Sequence, residues 1–548
     1  MSTTDTGWNF ADLWETVARQ IPDALAQQQG ERTHTWDEFN RRANGVAATL
    51  LADDLAAEQD KVAQYLYNSP EYLESVFAAF KAGFAVVNTN YRYAADELVY
   101  LWDNADATAV VFHGTFADQC DAVRARVPKV RTWLWVDDAS GPCPDWATPY
   151  ETAAGSGADD DVRGEWDRSG DHLLLLYTGG TTGMPKGVMW RQDDLFNVLD
   201  ANNKKRLPPE QDLDAVADRI TKAGPRNMPA APLMHGTGLF NALSNLMIGG
   251  SITTMEGRHF SAEEFLDDVV RYGINSTSIV GDAFAKPILR ALDAEPGRWD
   301  ISTLRVIVSS GVMWSKETKE GLLRHNPRLI MVDSLGSSEA IGMATNTTTA
   351  ESSGETAKFV LSPTSRVVTD DGRDVAPGSG ELGRVALRGR TPIGYYKDET
   401  KSAQTFVVID GERYSIPGDY ATVEADGTVT LLGRGSQCIN TGGEKVYPEE
   451  VEECLKLHPA VADAAVVGVP DDKWGEAITA LVEPHTGASV DGDELIAHVK
   501  GRLAGYKAPK RVVVVTDIGR AANGKLDYKK LRADAVAPPV AAHTENPA

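Results

Sequence analysis

The spacing of apolar residues predicts alternating helices and strands through the first part of the chain. Residues 11–20 and 71–82 carry apolar side chains at helical spacing, and Gly83 supplies a stop signal for the second helix. Short apolar runs at 84–87, 108–112 and 173–176 predict strands, and residues 250–255, 273–280 and 305–309 predict further strand–helix units. Alternation of this kind predicts an α/β sheet.

The pattern changes in the last third of the chain. Residues 380–430 contain short strands separated by glycines, which predicts an antiparallel β region. Residues 448–457 predict a helix whose glutamate-rich first turn suits the helix dipole. Strand-like runs at 461–469, 478–482 and 511–516 complete a small α+β unit. Residues 155–170 read as a polar connection and residues 202–229 as a charged, irregular insertion.

These patterns predict an α/β protein with two domains. A large N-terminal domain of α/β subdomains, with a small β-barrel-like region, is expected over residues 1–432. A hinge at 433–437 would lead to a small mobile α+β domain at 438–533. The tail at 534–548 is rich in alanine and proline and is expected to be disordered.

Composition narrows the partners and the compartment. The 548 residues carry a formal net charge of −25, which disfavours nucleic acid and anionic membrane, so a site for an anion must bring its own cations. The four cysteines form no C-x-x-C pair, which predicts no zinc site and no disulfide framework. With no signal-like segment and no long apolar run, we expect a cytoplasmic protein without integral membrane association. The sequence leaves open whether it forms a homo-oligomer.

Residues 177–187, Y-T-G-G-T-T-G-M-P-K-G, have the composition of a phosphate-binding loop. Glycines let backbone N–H groups approach an anion, threonine hydroxyls add donors, and Lys186 adds a positive charge. The alternative is a glycine-rich surface turn. Pro185 rules out a Walker A loop here, and Leu526 rules one out at G-R-A-A-N-G-K, residues 519–525.

The loop at 177–187 resembles the phosphate-binding loop of the acyl- and aryl-CoA synthetases, the adenylate-forming family that includes firefly luciferase. Further blocks resemble this family in the same order: D-S-L-G-S-S-E-A at 333–340, Y-S-I-P-G-D-Y at 414–420, N-T-G-G-E-K-V-Y-P at 440–448 and G-R-A-A-N-G-K at 519–525. The resemblance spans about residues 8–531. The sequences of these blocks are similar to those of actinobacterial synthetases for steroid side-chain acids. This similarity implies that the substrate is a bulky acid, such as a steroid, diterpenoid or long-chain fatty acid.

The resemblance implies ATP, Mg²⁺ and CoA as cofactors and a carboxylic acid as substrate. The acid would attack the α-phosphate of ATP, and the CoA thiol would then displace AMP. The catalytic residues implied are Thr178, His235, Glu339 and Lys525, with Glu339 and Thr178 at the metal. The nucleotide-binding residues implied are Thr178, Gly179, Gly180, Thr181, Thr182, Gly183, Lys186, Gly311, Ser337, Ser338, Asp419, Arg434 and Lys525.

The resemblance also implies residues for the other two substrates. The CoA thiol would arrive along Asn440, Gly442, Gly443 and Lys445. The acyl group would lie against His235, Gly236, Gly281, Ala283 and Gly311. A structural role for His235 stays open, and Asp282 is expected to be a structural cap.

Three positions depart from the family. Leu335 replaces the tyrosine that packs on adenine, Ser436 replaces a charged hinge residue, and Gly519 replaces a proline. These departures keep open a member that performs one half-reaction better than the other. An enzyme that loads a carrier protein and a non-enzymatic nucleotide-binding regulator are further alternatives, although Lys186, Glu339 and Lys525 argue against the regulator.

Overall fold

The computed structural model describes residues 7–536, except residues 158, 179–183, 202, 204, 313, 353–355, 435–438, 442–443, 472–473, 504 and 522–525. The chain divides into two compact units. Unit 1 comprises Met1–Thr356, Leu361–Ser365 and Ala386–Pro417, and unit 2 comprises Ala357–Val360, Arg366–Val385 and Gly418–Ala548. The hinge and boundary predicted at 433–437 stay predictions.

The described α-helices follow in chain order. They are α1 (Phe10–Gln20), α2 (Trp36–Leu51), α3 (Pro70–Lys81), α4 (Ala95–Asn104), α5 (Ala117–Arg124), α6 (Tyr150–Ala154), α7 (Gln192–Asp200), α8 (Leu213–Arg219), α9 (Gly236–Leu246), α10 (Ala262–Tyr272), α11 (Asp282–Ala294), α12 (Lys316–His325), α13 (Glu399–Thr405), α14 (Pro448–Lys456), α15 (Gly492–Lys500) and α16 (Tyr528–Val536). Among the helices of the described residues, none has the length and apolar character to cross a lipid bilayer.

The described strands likewise follow in chain order. They are β1 (Leu25–Gln29), β2 (Arg32–Thr35), β3 (Lys61–Tyr65), β4 (Ala85–Asn88), β5 (Ala107–His113), β6 (Thr132–Val136), β7 (Thr148–Pro149), β8 (Leu173–Thr178), β9 (Lys186–Arg191), β10 (Arg226–Pro229), β11 (Ser251–Thr253), β12 (Ser276–Ile279), β13 (Val306–Ser310), β14 (Ile330–Ser337), β15 (Ala340–Thr348), β16 (Lys358–Leu361), β17 (Ser365–Val368), β18 (Gly383–Arg388), β19 (Gly394–Tyr395), β20 (Phe406–Ile409), β21 (Glu412–Ser415), β22 (Asp419–Val423), β23 (Val429–Arg434), β24 (Ile439–Thr441), β25 (Glu444–Val446), β26 (Val461–Asp471), β27 (Gly475–Pro484) and β28 (Arg511–Val514).

Unit 1 contains two sheets built mainly from parallel strands. The first runs in the order β2-β1-β11-β10-β12-β13-β14-β15, and its strands from β1 to β14 are parallel. The second runs β19-β9-β8-β4-β3-β5-β6-β7, with β9 antiparallel to both β8 and β19. The alternating pattern of apolar residues therefore predicted the α/β class correctly.

Aromatic side chains on α1, α2 and α3 fill part of the unit 1 core. Trp14 meets Phe77 edge to face at 5.2 Å between ring centroids, and Phe39 lies 5.1 Å from Phe77. The helix predicted at 71–82 is α3, and it ends just before Gly83, whose φ of 71° suits a glycine.

A buried ion-pair cluster joins α1 to α3 beside these rings. The Glu15 carboxylate accepts hydrogen bonds of 2.7 Å from Lys81 Nζ and 2.7 Å from Arg168 Nη2. The Glu15 and Lys81 side chains are 1% and 0% exposed. Burial raises the pKa of the Glu15 carboxyl, but hydrogen bonds and charge from Arg168 and Lys81 outweigh it and lower that pKa to about 2.

The last third of the chain has the predicted antiparallel strands, shared between the two units, and the predicted α+β unit within unit 2. Strands β16, β23 and β22 and the first residues of β18 pair in antiparallel fashion. The C-terminal sheet has the order β25-β24-β27-β26, with β28 parallel to β27.

Two segment predictions need correction. Residues 202–229, predicted to be irregular, contain α8, which Asp212 caps by accepting from the Ala215 N–H, and also contain β10. The predicted disordered tail begins inside a helix, because α16 continues to Val536; residues 537–548 lie outside the described part of the chain.

Candidate active site

Several predicted site residues follow neighbouring strands of the first sheet. His235 comes after β10, Gly281 after β12, Gly311 after β13 and Glu339 after β14. Because these strands are parallel and adjacent, their carboxyl ends meet at one edge, which is where ligands bind in open α/β sheets.

Glycines at this edge allow close packing and positive backbone φ angles. A Cβ on Gly236, the first residue of α9, would lie 3.1 Å from the Phe240 ring and 3.3 Å from Leu176. Gly281 and Gly311 have φ values of 51° and 93°, a region that favours glycine. The Gly281 N–H donates to Ser309 Oγ at 2.9 Å, which fixes the backbone between β12 and α11.

Two other residues at this edge have distinct surroundings. Ala283 is the second residue of α11 and is half-buried. Asp282 accepts hydrogen bonds from the Ser315 N–H and Oγ at 3.2 and 3.1 Å, but it does not cap α11 as predicted, because the N-cap of that helix is Gly281. His235 immediately precedes α9 and is half-buried.

Glu339 lies in the tight connection between β14 and β15. Its carboxylate oxygen Oε1 accepts from the Tyr395 hydroxyl at 2.7 Å, and its carbonyl accepts from Ser415 Oγ at 2.7 Å. Its N–H donates to Ser337 Oγ at 3.2 Å. The indole N–H of Trp190 donates to the Ser338 carbonyl at 2.9 Å, so β9 of the second sheet also holds this turn.

The second sheet presents the ends of the predicted phosphate loop. Thr178 at the end of β8 and Lys186 at the start of β9 are cross-strand partners. Residues Gly179, Gly180, Thr181, Thr182 and Gly183 lie outside the described residues. Asn88 Nδ2 donates to the carbonyls of Tyr177 and Met234 at 2.9 and 2.7 Å, which ties the start of this loop to the segment before His235.

Lys186 forms an ion pair with Asp398. Asp398 also caps α13, because its Oδ1 accepts from the Lys401 N–H at 2.9 Å. The hydrogen bond from Lys186 is the main cause that lowers the pKa of the Asp398 carboxyl. A cavity of about 240 Å³ adjoins this pair and is lined by Tyr100, Asn104, Met184, Lys186, Tyr396, Lys397 and Asp398.

Unit 2 carries the other predicted site residues. Asp419 is buried at the start of β22, and it is the cross-strand partner of Arg434 on β23. Asn440 on β24 is the cross-strand partner of Lys445 on β25. Only the backbone of Arg434, Asn440 and Lys445 is described.

Three residues predicted for unit 2 lie outside the described chain, namely Gly442, Gly443 and Lys525. The chain on either side of Lys525 is firmly held. Arg520 donates to both Asp463 oxygens at 2.5 and 2.9 Å, and Tyr528 donates to Glu452 at 3.4 Å.

Sequence reasoning missed Asn88, Trp190, Tyr395, Asp398 and Ser415, which contact the predicted site residues. Asp398 had one available signal, since D-E-T-K is a plausible helix start with Asp at the cap. The other contacts depend on strand pairing between distant segments, and no local pattern marks them.

Comparison with known proteins identifies the family of this chain. A family model described as "AMP-binding enzyme" matches residues 14–396, and one described as "AMP-binding enzyme C-terminal domain" matches residues 450–525. A 3-oxocholest-4-en-26-oate–CoA ligase of Rhodococcus rhodochrous is 40% identical, and the match covers 95% of each chain.

Two further similarities extend this match. A medium/long-chain-fatty-acid–CoA/3-oxocholest-4-en-26-oate–CoA ligase of Mycobacterium tuberculosis is 39% identical, again over 95% of each chain. The crystal structure of the anthranilate CoA ligase AuaEII with anthranoyl-AMP matches 98% of this chain and 99% of its own, with a TM-score of 0.81 at 22% identity. That structural likeness shows a shared fold. The chain therefore belongs to the AMP-binding enzyme family, among its AMP-forming acid–CoA ligases.

Proposed function

We propose that this acid–CoA ligase converts a bulky hydrophobic carboxylic acid, through an acyl-AMP intermediate, into its CoA thioester. The observation that carries the proposal is the 40% identity, over 95% of both chains, to a ligase named for a steroid side-chain acid. Steroid side-chain acids are thus the first substrate class to test. Long-chain fatty acids come next, because the M. tuberculosis relative is named for both.

The first half-reaction brings a carboxylate to a polyphosphate, so catalysis must come mainly from positioning and positive charge. Lys186 and the loop at 179–183 bind the β- and γ-phosphates. Asp419 and Arg434 bind the ribose, Gly311 lies along the adenine, and Ser337 and Ser338 approach the α-phosphate.

Magnesium fits the donor set at Glu339. Tyr395 engages one carboxylate oxygen, Oε1, and a hard cation needs one or two such oxygens together with phosphate oxygens. Glu339, with the hydroxyl of Thr178, would hold the ion. When bound, Mg²⁺ would neutralise charge on the phosphates of ATP.

The acyl group lies at the glycine-rich sheet edge, against His235, Gly236, Gly281, Ala283 and Gly311. Phe240 and Leu176 lie 3.1 and 3.3 Å from the position that a Cβ at Gly236 would take, so a larger residue there would crowd this edge.

In the second half-reaction the CoA thiol displaces AMP. Asn440, Gly442, Gly443 and Lys445 take up the CoA arm, whereas Lys525 serves the first half-reaction. The C-terminal domain would rotate about Ser436 to exchange these two faces.

A second candidate function is a specialised ligase that performs mainly the acyl-AMP to acyl-CoA step. Two observations favour it. Leu335 is buried where the family resemblance implies a tyrosine against adenine, and Gly519 has a φ of 74° where the resemblance implies a proline.

The test is to incubate the purified protein with ATP, Mg²⁺, CoA and a panel of steroid, diterpenoid and fatty acids. Each acid is also supplied as its preformed acyl-adenylate, and acyl-CoA is scored by mass spectrometry. Product from a free steroid acid supports the full reaction. Product only from acyl-adenylates favours the specialised enzyme, and no product from either form contradicts the proposal.

A further inference from the structure

The carboxylate of Glu339 is oriented by a residue with no place in the proposed reaction. The Tyr395 hydroxyl donates to Oε1 of Glu339 at 2.7 Å. Tyr395 is 5% exposed and Glu339 is 9% exposed. A hydrogen bond to a carboxylate at this distance, in a largely buried setting, fixes the carboxylate strongly.

The tyrosine is itself held on several sides. Strand β19 pairs with β9, which sets Tyr395 opposite Val188. The Tyr395 N–H donates to Ser402 Oγ at 2.7 Å, and its ring lies 5.8 Å from that of Phe406. The hydroxyl therefore reaches Glu339 from a rigid base on the same strand pair that carries Lys186.

The chemistry of the partner matters. A lysine or arginine would neutralise the carboxylate, whereas a phenol donates a hydrogen bond and leaves the negative charge in place. Fixing Oε1 leaves Oε2 as the oxygen available to another partner. Mg²⁺ demands near-octahedral geometry, so its affinity depends on how well each ligand is oriented.

We propose that Tyr395 is a positioning residue that orients the Glu339 carboxylate toward the Mg²⁺ of Mg·ATP. The proposal rests on the metal role given to Glu339 in the proposed function. It concerns binding of the metal and nucleotide and makes no use of the acyl substrate.

The test removes one oxygen atom. Tyr395→Phe should weaken binding of Mn·ATP about tenfold, the low end of the effect of outer-shell partners on metal affinity. Binding is measured by electron paramagnetic resonance of free Mn²⁺ in the presence of ATP. The Mg²⁺ concentration for half-maximal acyl-AMP formation should rise in parallel.

Tyr272→Phe is the matched control. The Tyr272 hydroxyl on α10 also donates a hydrogen bond, to the Gly30 carbonyl at 3.1 Å. This variant loses the same atom without touching Glu339 and should bind Mn·ATP like the wild type. An equal loss in both variants would overturn the positioning role.

A double-mutant cycle separates positioning from general damage. If Tyr395 acts through Glu339, then Tyr395→Phe should add no further loss in a Glu339→Gln background. Full additivity would overturn the proposal. If the wild type and the Tyr395→Phe variant bind Mn·ATP equally well, only the role given to Tyr395 is refuted. If the wild type neither binds Mn·ATP nor forms acyl-AMP, the proposed function is contradicted.

Discussion

At the scale of single residues, Asp398 occupies a position that a phosphate would also favour. Its carboxylate pairs with Lys186 while it caps α13. Both side chains of the pair are about one third exposed, at 36% and 30%, so the pair is only modestly stabilising. A polyphosphate that binds Lys186 has to compete with this carboxylate.

We therefore predict that Asp398→Asn binds ATP about two- to fivefold more tightly, as expected for removal of a weak competing ion pair. Asparagine is an equally good helix cap, so α13 should be kept. Isothermal titration calorimetry with ATP measures the change.

Asp106→Asn is the control for this variant. Asp106 carries the same charge and contacts Lys397, Lys129 and Tyr396, but has no contact with Lys186 among those described. Its ATP affinity should match that of the wild type. Weaker ATP binding in Asp398→Asn alone would mean that Asp398 orients Lys186 rather than competing for it.

Residue-level prediction from sequence failed where a contact joins distant segments of the chain. The sequence predicted Asp282 as a structural cap, but the N-cap of α11 is Gly281, and Asp282 instead accepts from the distant Ser315. It could not find Tyr395, because its contact with Glu339 depends on the register of β19 against β9. The catalytic roles of His235, Glu339 and Lys525 stay predictions.

At the scale of elements, the packing of α1 against α3 includes a buried charge cluster. The lowered pKa of Glu15 means that its ionised form favours the folded state. This contribution is fully present above pH 4.5 and is lost as pH falls toward 2, since the folded protein then binds a proton less readily than the unfolded chain.

We predict that Glu15→Gln destabilises unit 1 by about 3 kcal/mol at pH 7, because Lys81 would stay buried beside Arg168 without its carboxylate. The loss of stability between pH 4.5 and 2 should be correspondingly shallower. Urea unfolding followed by tryptophan fluorescence measures both, since Trp14 lies on α1.

Asp37→Asn serves as the comparison for this prediction. Asp37 pairs with Arg41 at 3.0 Å on the exposed face of α2, and such pairs contribute at most about 0.5 kcal/mol. Equal losses of unfolding free energy in the two variants would show that the buried cluster stabilises the protein no more than an exposed ion pair does.

Element prediction succeeded where periodicity was long. The helices at 11–20 and 71–82 are α1 and α3, with ends shifted by one residue. Helix α8 was missed because seven residues within a charged segment give too short a repeat to recognise. Its Asp212 cap was the available signal.

At the scale of the whole molecule, the proposed reaction assigns its two halves to different residues. We predict that Lys525→Ala reduces adenylate formation by about 100-fold or more, because it removes a charge at the α-phosphate. Thioester formation from supplied acyl-adenylate should change less than about twofold. Separate assays of the two half-reactions measure this split.

Lys529→Ala is the matched variant for Lys525. Lys529 is exposed on α16, four positions further along, and its loss should leave both half-reactions unchanged. An equal fall of both half-reactions in Lys525→Ala would contradict the assignment of different faces to the two steps.

The position of β19 also has a consequence for how the protein is made. On the ribosome, β9 emerges long before Gly394, and until then it is the open edge of its sheet. Open edges pair readily with other chains. A nascent or truncated chain that stops before residue 394 should therefore depend on chaperones and aggregate, and completion of β19 would cover β9 with a two-residue edge strand and bring Tyr395 to Glu339 in the same step.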